Sequence, residues 1–403
     1  MSDSDKEFDK QFESRLTQTF LNLEPIDPLL YRSTHLFKPT FGRAVFGGQV
    51  VGQALVAASK TMSSDREAHS LHCYFLRPGS VDKPILYYVK QSRDGQTYSN
   101  RFVDATQDGR SIFTMMVSFK KAESDPFEHQ FTMPVVPPPE DCLEINDILK
   151  QRLELEDVGE KERDYIEHRL TEEVTLLRKP TDANVYFNSS PLPAKQCVWI
   201  KTLGHLGNHQ PMHKCAAAFM SDTMLIGTAL LPAGRRTGGG RFFMTSVDHA
   251  MWFHHPVQAD EWLLYEMESP QCGGGRGFCS GRMWDTSGRL VLSVAQEGAV
   301  RTMESKPRPR VHEGQDVEQS GDSGAVGCSG GSGQVKQASP VTSASVTPTS
   351  AVNPRPVTST STVTPPTTLT MTSAPATAIN TSSFWSARLG QHLMRFAKRL
   401  VRI

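Results

Sequence analysis

Three side chains of the 403-residue chain are suited by type to act on a water molecule: Asp222, Ser246 and Gln296. A carboxylate, a hydroxyl and an amide around one point can orient water and remove its proton. They suit an acyl-enzyme poorly, because no local motif fixes a His base beside Ser246. Water attack on an activated carbonyl is therefore the expected chemistry. Each residue also has a plainer reading. Asp222 precedes an apolar run and could act only as a helix N-cap. Gln296 lies in a strand, where an unpartnered buried amide costs roughly 1–3 kcal/mol, so one structural partner would account for it. Ser246 could be an ordinary strand serine.

Comparison of the chain with itself singles these residues out. Residues 47–56 align with 222–231, so that Gly52, Ala54 and Leu55 fall on Gly227, Ala229 and Leu230. Residues 69–72 then fall on 246–249, Pro78 on Pro256, and 108–117 on 287–296. Three ordered matches imply a duplicated unit. Asp222 stands where the first copy has Gly47, Ser246 where it has His69, and Gln296 where it has Val117. Two of these exchanges put a hydrogen-bonding group in place of a small or apolar one.

The elements that position them follow from periodicity. Val50, Val51, Ala54, Leu55 and Ala58 recur at helical spacing, and the matching second helix should start at Asp222. Its N-terminal N–H groups would face a developing oxyanion. Strands are expected at 85–91, 98–107 and 111–120, separated by the turn pairs Asp94-Gly95 and Asp108-Gly109. Their counterparts are 262–268, 277–285 and 289–301. The fold class is thus α+β: two helix-on-antiparallel-sheet repeats forming one continuous sheet.

Composition frames the rest. Lys+Arg and Asp+Glu balance at 43 each, which argues against nucleic acid as a partner. The low hydrophobic share of 38% points to dilution by a polar stretch, and 336–383 is almost only Ser, Thr, Pro, Ala and Val. The expected division is a first repeat (15–133), a helical linker (134–190) with a charged helical stretch at 146–178, a catalytic second repeat (191–304), a disordered tail (305–383) and a basic amphipathic helix (384–403). That last helix suits contact with a membrane surface. Exposed sheet edges favour a homo-oligomer. Seven scattered cysteines without a CxxC pair suggest a reducing compartment and neither a disulfide framework nor a zinc ribbon, and no metal or cofactor is expected. The polar N-terminus and the lack of about 18 consecutive apolar residues suggest a soluble intracellular chain. Two serine-hydrolase-like motifs, at 321–324 and 327–331, lie in the polar tail without strand or helix context. His205, His209 and His213 repeat every four residues, but Gly207 and Pro211 interrupt the run, so loop histidines are expected.

Longer blocks carry a resemblance. Phe46-Gly-Gly-Gln-Val-Val-Gly-Gln-Ala-Leu55, His69-Ser-Leu-His-Cys-Tyr-Phe75, Val247-Asp-His-Ala-Met-Trp-Phe-His254 and Gln296-Glu-Gly298 resemble the double-hotdog acyl-coenzyme A thioesterases of the thioesterase B group. The resemblance covers nearly all of 20–303. It implies hydrolysis of fatty acyl-CoA to free acid and CoA, with Asp222, Ser246 and Gln296 acting through a bound water. On the substrate side, Gly48, Gln49 and His72 are expected near the thioester and Arg276 near a CoA phosphate. A peroxisomal location is also implied, although the chain ends in Leu400-Val-Arg-Ile403 where peroxisomal relatives carry a Ser-Lys-Leu type tripeptide; the other expectation is cytoplasmic. Two rivals are a hotdog enoyl-CoA hydratase, which needs a carboxylate and a His, and a non-catalytic acyl-CoA-binding scaffold.

Overall fold

Along residues 98–107 every second side chain is buried, the period-2 signature of a strand with one covered face. The same alternation recurs over 292–301 and fixes which face each functional residue presents. The computed structural model describes residues 13–303, apart from 41, 125, 188–189 and 235–241. All of these belong to one compact unit, 1–312. The tail, its two serine motifs and the basic segment 384–403 lie outside the described residues.

In chain order the first repeat supplies β1 (Leu23–Asp27), β2 (Leu30–Ser33), α1 (Gly47–Ser59), β3 (Arg66–Phe75), β4 (Leu86–Asp94), β5 (Tyr98–Gln107) and β6 (Arg110–Lys121). The connecting stretch forms α2 (Ile145–Leu153), α3 (Glu160–Leu170), β7 (Leu176–Pro180) and the one-turn α4 (Asn184–Phe187). The second repeat contains β8 (Lys195–Thr202), α5 (Gln210–Ser221), a 3-10 segment (Ile226–Ala233), β9 (Phe242–Ser246), β10 (Asp248–Phe253), β11 (Leu263–Gly273), β12 (Arg276–Trp284) and β13 (Leu290–Thr302). One antiparallel sheet runs β1-β2-β4-β5-β6-β3-β10-β13-β12-β11-β8-β7, and β9 also pairs with β13. The halves join where β3 meets β10.

Several local expectations hold. Asp108 and Gly109 both take positive φ, 49° and 68°, in the tight β5–β6 turn. Others are corrected. The charged stretch 146–178 is not one helix: it breaks into α2 and α3, and β7 joins the sheet edge beside β8. Gly274 and Gly275, with φ of 60° and 79°, make the β11–β12 turn.

The second repeat's helix precedes Asp222 instead of starting there. Pro211 sits in its first turn, where a missing N–H is harmless, so the residue read as a breaker is a starter. His213 is accordingly buried in α5, with its ring nitrogens bonded to Gly207 O (2.7 Å) and the Ala259 N–H (3.0 Å). Beyond Asp222 the chain turns through Met224 at φ 68°, a strained conformation for a side-chain-bearing residue. The run 210–233 is apolar and long enough to cross a membrane, yet 83% of its most apolar window is buried inside the fold.

Helices α1 and α5 pack antiparallel under the sheet. Gly47 faces Asp222, Gly48 faces Phe219, and Gly52 faces Cys215. The approach is close enough to require glycine: a Cβ on Gly48 would lie 2.4 Å from the Phe219 carbonyl oxygen, a backbone atom that cannot step aside. At Gly52 the tightest neighbour is the flexible Leu21 side chain, at 2.7 Å. Gly48→Ala is therefore expected to cost more than about 2 kcal/mol in chemical denaturation, and Gly52→Ala less. Equal costs would mean that the helices separate freely.

Candidate active site

The site forms where the C-terminal end of α5 meets the N-terminal end of α1, beneath β9 and β13. From Leu292 onward the buried residues on β13 are Leu292, Val294, Gln296, Gly298 and Val300, so Gln296 must point toward the helices. Ser246 reaches the same face through a bulge. On β13, three steps separate Ala295 from Gly298, whereas their partners Ala250 and Ser246 are four apart. The extra residue flips the alternation and turns Ser246 toward Gln296. The break is pinned by Val247, whose N–H donates to Glu297 O and whose carbonyl accepts from the Phe75 N–H, both at 2.9 Å.

Asp222 arrives as the last residue of the helical run. Its Oδ1 accepts from Gln296 Nε2 at 2.6 Å and from Ser246 Oγ at 3.4 Å, and Gln296 Nε2 also lies 3.0 Å from Ser246 Oγ. The three residues thus meet at one point. The carboxylate also accepts the Gly48 N–H, so it caps α1, the helix of the other repeat, and not a helix of its own. Burial pushes the Asp222 carboxyl up to about 6, against the lowering effect of the Gln296, Gly48 and Ser246 hydrogen bonds. Gln296 is fully buried, and its Oε1 has no partner among the described residues. An unpaired buried acceptor beside a carboxylate is where a polarised water or substrate group belongs.

The turn carrying Asp222 is braced. Tyr265 Oη donates to Ser221 O at 2.7 Å, and Ser221 Oγ lies 2.9 Å from His249 Nε2. Burial lowers His249 to about 3, so its ring is neutral and acts here as a strut. Nothing in the spacing of Ser221 and Tyr265 announces this role.

A cleft of about 840 Å³ opens at Ser246, the one of the three residues that lines it. Ser246 and Gly47 line it, together with Val50, Phe75, Phe113 and Leu230. That size and largely apolar wall suit an acyl chain on a polar carrier.

The substrate-side expectations fare unevenly. Gly48 is at the site. Gln49 is not available: its amide donates to Phe20 O and His35 O, at 2.9 and 3.0 Å, and its oxygen accepts the Phe37 N–H at 2.7 Å, which ties the N-terminal segment to α1. His72 faces away. Its neighbours Leu71 and Cys73 point inward, and its own exposed ring packs against Trp252. The self-comparison set His72 on His249, but His249 pairs with Cys73, and a one-residue slip puts the two histidines on opposite faces. Arg276 likewise faces outward, exposed and paired with Glu297 at 3.1 Å.

This architecture agrees with comparison to known proteins. Residues 37–120 match the family described as acyl-CoA thioesterase N-terminal domain, and 140–300 match the acyl-CoA thioesterase C-terminal domain. Acyl-coenzyme A thioesterase 8 of Rattus norvegicus is 44% identical over 296 residues, which span 73% of this chain and 91% of the relative. Acyl-CoA thioesterase 2 of Haemophilus influenzae is 36% identical over 284 residues, 70% of this chain and 96% of that one. The crystal structure of the acyl-CoA thioesterase II TesB2 from Mycobacterium marinum superposes with a TM-score of 0.56 at 34% identity, covering 70% of this chain and 97% of its own. With both domain matches in order and the duplicated helix-on-sheet fold beneath them, the chain belongs to the double-hotdog acyl-CoA thioesterase family and is an acyl-CoA thioester hydrolase.

Proposed function

We propose that the chain hydrolyses fatty acyl-CoA by direct water attack at the point where Asp222, Ser246 and Gln296 meet. The observation that carries this reading is the contact of one amide with both partners: Gln296 Nε2 lies 2.6 Å from the Asp222 carboxylate and 3.0 Å from the Ser246 hydroxyl. In this reading Asp222 accepts the water's proton. Ser246 and the free Oε1 of Gln296 hold the water against the thioester carbonyl. Gly47, the first residue of α1, offers its N–H at the positive end of the helix dipole to the carbonyl oxygen as it gains charge. The tetrahedral intermediate then expels the CoA thiolate, which recovers a proton. The apolar cleft wall supports a fatty acyl chain as the group carried.

The acid limb of the reaction follows from Asp222. Only its ionised form accepts a proton, and its carboxyl sits at about 6, so kcat/KM should fall about tenfold per pH unit below that value and level off above it. Release of free CoA, followed over a ladder of acyl lengths and from pH 4.5 to 8, checks the substrate class and the limb together. A limb near pH 4, where an exposed carboxylate titrates, would remove Asp222 from the base role.

A further inference from the structure

The cleft carries two guanidinium groups for which the water chemistry has no use. Arg43 precedes α1 and Arg77 follows β3, and both line the same cleft as Gly47 and Ser246. Their loops are joined, since Val45 N–H donates to Gly79 O at 2.9 Å. Each guanidinium is steadied without being neutralised. Arg77 Nη1 donates to Ser111 O at 2.6 Å, and Arg43 sits 5.9 Å over the Phe243 ring. Neither has a carboxylate partner among the described residues, and no described carboxylate lines the cleft. Two unneutralised cations beside an apolar passage call for a ligand with an anionic head and an uncharged arm.

We infer that Arg43 and Arg77 receive the phosphate groups of the CoA moiety, holding the nucleotide at the cleft while the pantetheine arm delivers the thioester to Gly47 and Ser246. This rests on the acyl-CoA reading and adds the residues that select the carrier. Guanidinium groups suit the task because each offers several donors in a plane matched to phosphate oxygens. Arg276, expected from sequence to do this, is on the other face of the sheet.

The test compares one acyl chain on two carriers: CoA, and the phosphate-free N-acetylcysteamine thioester. Arg43→Glu and the double variant Arg43→Ala/Arg77→Ala should lower the ratio of kcat/KM for the CoA ester to that for the phosphate-free ester by about tenfold or more, mainly through KM. Arg77→Lys, which keeps the charge, should lower it less than Arg77→Ala. Inhibition by free CoA should weaken in the same order, and inhibition by pantetheine should not follow it. A ratio that stays constant, whether both substrates slow together or neither does, overturns the assignment. A wild-type enzyme that cleaves neither ester would instead overturn the hydrolytic reading.

Discussion

Asp222→Asn is expected to lower kcat for acyl-CoA by about 100-fold or more, with KM changed by no more than a few-fold. A 100-fold loss corresponds to about 2.7 kcal/mol of transition-state stabilisation, a normal contribution for a general base. The amide keeps the shape of the side chain and can still accept the Gly48 N–H, so the fold should survive. Stability should move the other way. The folded carboxyl, raised to about 6 by burial, binds its proton more tightly than in the unfolded chain. Its ionisation therefore opposes folding progressively as pH rises from about 4 through about 6, and fully above that. The neutral amide removes that cost, so the variant's thermal midpoint at pH 7.5 should rise by roughly 2–5 °C. Slower turnover with a higher midpoint identifies a base kept at the expense of stability. A fall in both would identify a residue whose role is to cap α1.

Gln296→Leu should be the next most damaging change, lowering kcat by about 10- to 100-fold. The loss removes the shortest contact to Asp222, at 2.6 Å, and the amide that reaches Ser246. Leucine fills a similar volume in a site with no solvent exposure, and it eliminates the unpartnered Oε1, so global unfolding is not the expected cause. The pH dependence separates the possibilities. Gln296 provides the leading hydrogen bond that holds the Asp222 carboxyl down against burial. Without it the carboxyl rises further and the acid limb of kcat/KM moves to higher pH. A slower enzyme with an unmoved limb would mean that Gln296 serves the substrate and not the carboxylate.

How much of this could be read from the chain depends on what each signal measures. Strand positions and the β5–β6 turn were legible because burial alternates with period two and Asp108-Gly109 tolerates positive φ. Self-comparison singled out Asp222, Ser246 and Gln296, the family resemblance implied the same three, and the structure brings them together. The symmetry argument that also favoured them was partly mistaken. It set Asp222 on Gly47 as the start of a second helix, whereas the two residues are neighbours across the α1–α5 contact, at opposite ends of antiparallel helices. Identity matching at Gly52, Ala54 and Leu55 could not detect this, because small residues recur wherever helices approach closely. The His72 and Arg276 expectations failed on parity: sequence blocks say nothing about which face of a strand a side chain takes once a bulge intervenes. Gln49 failed for a different reason. Its demand for hydrogen bonds is met by backbone from 20, 35 and 37, contacts that no local pattern encodes.

The most direct test of water attack is a single turnover in H₂¹⁸O with enzyme in excess over a long-chain acyl-CoA, followed by mass spectrometry of the released acid and of the protein. One solvent oxygen should appear in every molecule of first-turnover acid, with no label at Asp222 and no acylated peptide containing Asp222 or Ser246. Unlabelled acid with ¹⁸O in the Asp222 carboxylate, or an acyl group on Ser246, would show that a side chain attacks the thioester first, and the assignment of Asp222 as base to a bound water would be wrong.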